Sequence, residues 1–160
     1  MTYAATTKVS PEKSEAELKQ TLRRAGANRV VIATDDVVGR ILVSFEIDQR
    51  VVRIEVPLPL ALETEKLIKK DAPRGWYAWP EKRKREFIER HRDQEERQRF
   101  RALLLIVKAK LEIISIGLST VEREFLADLV LPGNTTVMQQ VAPKIRTAYE
   151  TGVATPLLGA

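Results

Sequence analysis

At 160 residues, with 44% hydrophobic and 31% charged side chains, the chain has the composition of one ordinary globular domain rather than a disordered segment. It contains no cysteine, which excludes disulfides and thiolate chemistry and fits a reducing compartment. The net charge of +5 is unevenly placed: from Lys66 to Lys110 there are 15 Lys and Arg against 7 Asp and Glu, and elsewhere 12 against 15.

A basic segment of this kind points to a polyanionic partner, although a charged helix face kept in water gives the same count. The stretch from Met1 to Ser10 is polar and lacks the apolar core of a signal peptide. The longest apolar run, Ala102 to Val107, is too short to cross a bilayer. A cytoplasmic protein without a membrane partner is expected.

Along the chain, Ser10-Pro11-Glu12-Lys13 reads as a helix start, with a serine cap, proline at the first helical position and an acid in the first turn. Ala16, Leu18, Leu22 and Ala25 give this helix an apolar side, and Gly26 is placed to end it. Three extended runs follow. Val30 to Ala33 is short; Ile41, Val43, Phe45 and Ile47 alternate, and so do Val52, Ile54, Val56 and Leu58, while Arg53 and Glu55 point the other way. Asp35-Asp36 with Gly39 marks the first turn and Asp48-Gln49-Arg50 the second, so an antiparallel meander is expected, ended by Pro57 and Pro59.

A helix over 60–70 leads to a Trp-rich loop or hinge over 71–80. Nothing then breaks a helix from Glu81 to about Ile116. Its first half is almost wholly charged and is expected as a solvent-facing arm. Its second half, Ala102 to Ile116, is apolar nearly all round and is expected to be buried. Another helix is expected over Val121–Leu129, a turn at Pro132-Gly133-Asn134, and a last helix over about Thr136–Tyr149. The fold class is α+β: an N-terminal helix, a three-stranded antiparallel meander, a long central helix packing on the sheet and two further C-terminal helices. Residues 1–160 are read as a single domain, with 1–10 a flexible N-terminus and 152–160 a tail.

Catalytic and metal chemistry is sparse. The sole histidine, His91, lies between Arg90 and Arg92, and with no cysteine there is no zinc ligand set. Neither GxGxxG nor a Walker A pattern occurs. Asp35, Asp36, Asp48, Glu95 and Glu96 are the carboxylates from which a magnesium-dependent nuclease would be assembled, but the aspartates sit in turns, where backbone geometry already favours them. No metal, no cofactor and no catalytic residue is assigned.

What remains is a cluster of rings and cations. Arg74, Trp76, Tyr77, Trp79, Lys82, Arg83, Lys84 and Arg85 lie within twelve positions. Single-stranded nucleic acid is held by bases stacked on flat side chains, at about 1–3 kcal/mol each, and by cations on phosphates. Arg85, Arg92 and Arg99 recur every seventh residue and share one helix face over about 20 Å, with Arg90, Arg97 and Arg101 on a neighbouring strip. Two facts weigh against this reading: tryptophan is more often a core or hinge anchor, and Glu86, Glu89, Glu95 and Glu96 are spaced to pair with the arginines.

Several blocks carry a resemblance: Tyr3-Ala4-Ala5-Thr6-Thr7, Leu22-Arg23-Arg24-Ala25-Gly26-Ala27, the run from Val52 to Pro59, the run from Arg101 to Glu112, Glu124-Phe125-Leu126-Ala127 and Val130-Leu131-Pro132. Together they resemble a family of small phage and prophage proteins without an assigned function, which implies a viral or mobile-element origin. Separately, the expected order of helix, meander and long helix is similar to the core of Rad52-like single-strand annealing proteins.

The leading expectation is a non-catalytic nucleic-acid-binding protein of phage type that prefers, and perhaps anneals, single strands. Trp76, Tyr77 and Trp79 are its stacking residues; Arg74, Lys82, Arg83, Lys84, Arg85, Arg92 and Arg99 are its phosphate contacts. An inhibitor or adaptor acting on a host protein is the second reading, and an undetected magnesium-dependent nuclease the third. Association of copies through the long helix is a further expectation.

Overall fold

A computed structural model describes residues 4, 7–58, 60–70, 72–154 and 156–157. Pro59, Asp71 and parts of the N-terminal arm and C-terminal tail lie outside the described residues.

Helix α1 spans Pro11–Arg24 and begins as the cap predicts: the Ser10 side chain accepts the Lys13 N–H at 3.3 Å. Leu18 and Leu22 are its buried residues, with Ser14 one turn earlier, while Ala16 and Ala25 face solvent. The described end of the N-terminal arm is docked rather than detached, because the Thr7 carbonyl accepts a hydrogen bond from Gln94 Nε2 at 3.2 Å.

Strands β1 (Asn28–Asp35), β2 (Arg40–Ile47) and β3 (Arg50–Pro57) form an antiparallel sheet in the order β1-β2-β3. Ile41 pairs with Val56, Val43 with Ile54 and Phe45 with Val52, so the alternating apolar residues of both strands share one face. Ile41, Val43, Phe45, Ile47 and Val52 are buried there, with Ile54 and Val56 partly so. The opposite face carries ion pairs, Arg29 to Glu46 and Arg40 to Glu55, each at 2.9 Å. A two-residue turn joins β2 to β3 with both central residues, Asp48 and Gln49, in the left-handed region (φ 47° and 60°). This is the turn geometry whose twist matches that of the strands.

Helix α2 (Ala61–Lys70) and a 3-10 turn at Trp76–Ala78 precede α3, one continuous helix over Glu81–Ser115, roughly 50 Å long at 1.5 Å per residue. Two expectations about α3 need correction. Its second half is not buried all round. Phe100, Leu103, Leu104, Val107 and Leu111 form a buried stripe against α1 and the sheet, whereas Ala102, Ala109 and Ile116 are exposed and Ile106 is 54% exposed. One sheet face and one helix cover one side of a helix, and nothing is left to cover the other. Nor is its first half a free arm: α2 packs along it, and Trp76 and Trp79 hold Phe87.

The expected helix over Val121–Leu129 is also shortened. Helix α4 spans Val121–Glu124, a 3-10 turn follows at Leu126–Asp128, and Leu129 is extended, bridging Val52 of β3. Tertiary pairing with the sheet edge overrides the local helical signal. Strands β4 (Val130–Leu131) and β5 (Thr135–Thr136) flank the expected Pro132-Gly133-Asn134 turn. Helix α5 (Val137–Thr151) then starts in a reciprocal cap between Thr136 and Gln139. Among the described residues, no helix is long and apolar enough to cross a membrane.

Candidate nucleic-acid interface

The rings and cations singled out in the sequence do not share one surface. Gly75, in the left-handed region at φ 83°, turns the chain into the 3-10 turn and points Trp76 inward. Trp76 is 2% exposed, with its ring centroid 5.5 Å from Trp79 and 5.7 Å from Phe87. Neither of its faces is open to a base, so its place as a stacking residue is corrected to that of an anchor. Trp79 is half-buried, 5.4 Å from Phe87, and the Arg83 guanidinium lies 3.9 Å from its ring centroid. Its outer face is thus already occupied by a cation–π contact. Tyr77 is different: it is 78% exposed.

The cations divide in the same way. Arg74, Lys82, Arg83 and Arg85 are exposed. Lys84 donates to Glu81 at 2.8 Å, which with the nearby Arg85 and Lys69 holds the Glu81 carboxyl below its ordinary range. Arg99 is bound to Glu95 at 2.5 Å, one helical turn away. Arg92 is half-buried in a small cleft. The expected row Arg85, Arg92 and Arg99 is therefore open only at its first member. On the neighbouring strip, Arg90 donates to the Glu86 carbonyl and Arg101 pairs with Glu17 at 3.4 Å. Lys108 also bonds Glu17, and Lys110 bonds the Glu124 carbonyl. The later half of the basic segment is thus bound into the fold.

Three residues absent from the expected site belong beside it. Helix α2 ends in Lys66, Lys69 and Lys70, all exposed. Lys69 is paired with Glu65 at 2.8 Å, and this hydrogen bond raises its ammonium above the ordinary lysine value, with smaller contributions from Tyr77 and Glu81. Those contributions place the end of α2 against Tyr77 and the start of α3. The positions of these lysines at the end of a helix, just before the loop, were the available signal. The result is a basic cap around one exposed ring, made from the end of α2, the loop and the first turns of α3.

The carboxylates regroup too. Asp35 is used by its own turn, its Oδ1 accepting the Val37 and Val38 N–H groups at 3.1 and 3.0 Å. Asp48 lies in the turn at the other end of the sheet. Asp36 instead meets Asp93 and Glu96 of α3 around the cleft of about 100 Å³ that Arg92 also lines. Burial there raises the Glu96 carboxyl above its ordinary value; Asp36, Asp93 and Glu12 add to this, and Arg92 opposes it. Among the described residues, no group of three or more His, Cys, Asp or Glu is disposed to hold a metal ion.

Comparison of the chain with protein-family models, with curated proteins and with solved structures finds no match.

Proposed function

We propose that the protein binds nucleic acid, with a preference for single strands, through the basic cap at the junction of α2 and α3. The observation that carries this reading is the grouping of Lys66, Lys70, Arg74, Lys82, Arg83 and Arg85, all exposed, around the exposed ring of Tyr77. Cations neutralise phosphates without regard to sequence, and an open tyrosine face accepts a base that is not already stacked in a duplex. With Trp76 enclosed and Trp79 capped by Arg83, stacking reduces to one main ring, and phosphate contact supplies most of the affinity.

The test is a salt titration with fluorescent oligonucleotides. For single strands, log K falls with log salt by about 0.7 per phosphate contact. The triple variant Lys82→Glu, Arg83→Glu, Arg85→Glu is expected to flatten that slope and remove most binding. Tyr77→Ala is expected to weaken single-strand binding at unchanged slope, since stacking releases no ions. Absence of binding to any DNA or RNA at about 50 mM salt, with folded protein, overturns the reading. Capture of a host protein that is lost with the same charge reversals would put the inhibitor or adaptor in its place.

A further inference from the structure

We propose that the open edge of β1 pairs with β1 of a second copy of this chain, antiparallel and centred on Ile32, so that two three-stranded sheets become one of six strands. The two edges of the sheet are treated differently by the fold. The β3 edge is closed: Leu129 bridges Val52, and Arg53 holds Asn134 of the β4–β5 turn. The β1 edge is not. β1 pairs only with β2, and outside that ladder its one backbone bond among the described residues is from the Asp35 carbonyl to the Gly39 N–H. A strand with unused outward N–H and C=O groups is a template for another strand, and such edges are usually blunted by proline, lysine or bulges. β1 has neither proline nor lysine, and its one irregularity falls between Asn28 and Val31, leaving Val31–Asp35 regular.

The composition of β1 favours a second copy as occupant. Antiparallel self-pairing about a two-fold axis places residue 32 opposite its own counterpart, 31 opposite 33 and 29 opposite 35. Arg29 and Asp35, equidistant from Ile32 and opposite in charge, then complement each other twice, once on each side of the axis. The Arg29 side chain is 83% exposed, so it is extended toward solvent even while touching Glu46. Val31, 53% exposed, meets Ala33 of the other copy on the outer sheet face and covers apolar surface that the single chain leaves wet. The half-buried Val30 and Ile32, which pack against the core, extend the inner face across the junction.

Sedimentation equilibrium of the full chain, stripped of nucleic acid in high salt, tests this independently of the proposed function. The wild type is expected to be a concentration-dependent dimer. The Val31→Asp, Ala33→Asp variant, which sets carboxylates opposite one another across the axis, is expected to be monomeric with an unchanged far-ultraviolet circular dichroism spectrum. Because the natural chain has no cysteine, a second test fixes the register: Val31→Cys chains mixed with Ala33→Cys chains are expected to form disulfide-linked heterodimers, and neither alone to cross-link comparably. A wild type that stays monomeric at its highest soluble concentration, a dimer untouched by the two aspartates, or cross-linking no stronger in the mixture overturns the proposal.

Discussion

The guanidinium of Arg53 grips both ends of one residue, Asn134: Nη2 donates to its carbonyl oxygen at 2.7 Å and Nη1 to its side-chain Oδ1 at 3.1 Å. Arg53 stands on the wet face of β3, and Asn134 holds the β4–β5 turn in the left-handed region at φ 63°. The contact spans 81 positions and ties the C-terminal hairpin to the sheet. Arg53→Ala is expected to cost about 1–2 kcal/mol, in the range of hydrogen bonds to a charged group at a partly wet site. Hydrogen exchange should locate the loss: the Asn134 and Val137 amides, bonded to the Leu131 and Leu129 carbonyls, should lose protection before the β2–β3 ladder does. Equal loss in both regions would show that the hairpin is held by other contacts.

Two neighbouring residues of α3 should respond in opposite ways to the same truncation. Leu104 is fully buried in the main core, and Leu104→Ala is expected to cost about 2–5 kcal/mol. Ile106, two residues on and 54% exposed, should tolerate Ile106→Ala within about 0.5 kcal/mol. Urea unfolding of the two variants measures this directly, and comparable costs would mean that α3 is rotated from the orientation described.

The turns at the two ends of the sheet also carry opposite expectations. Gln49 holds φ 60° without being glycine, so Gln49→Gly relieves left-handed strain and should stabilise by about 0.5–1 kcal/mol, the entropy of glycine offsetting part of the gain. Gly39 holds φ +72°, and a Cβ there would lie 2.6 Å from the Leu58 carbonyl oxygen and 2.9 Å from Leu60. Gly39→Ala should therefore cost about 1–3 kcal/mol from backbone strain, with the clash added. Thermal midpoints of the two variants should move apart around the wild type.

Acid titration should separate two glutamates. The Lys108 hydrogen bond, with Arg101 and Lys13 nearby, holds the Glu17 carboxyl below its ordinary value of 4.5. Its stabilisation is present above that value and is lost as pH falls through the lower folded-state value. Burial raises Glu96 above 4.5. Its cost is absent in acid, grows as pH rises from 4.5 through the raised folded-state value, and is complete above it. Glu17→Gln should thus destabilise at neutral pH and match the wild type in strong acid. Glu96→Gln should stabilise at neutral pH, with the advantage vanishing in acid. Urea midpoints followed across pH check both signs.

What the sequence by itself determined is what rests on neighbours along the chain. Period-two alternation in Ile41–Ile47 and Val52–Val56 set the buried face of the sheet because the pleat admits only two faces. Ser10-Pro11 and the glycines after α1 and α3 set helix ends because capping and left-handed geometry are local. The density of cations between Lys66 and Arg85 was legible for the same reason, as was the spacing by which Glu95 binds Arg99. The tertiary structure alone decided which side of each element would be covered. Trp76 and Tyr77 are adjacent and both aromatic, yet only Phe87, brought in by the fold of the loop onto α3, makes one an anchor and leaves the other open. Leu129 leaves the helix because β3 offers it a partner, and Asp36 meets Glu96 because the β1–β2 turn comes down on α3. Burial and charge are set by distant residues, and their free energy is comparable to or larger than the local preferences it overrides.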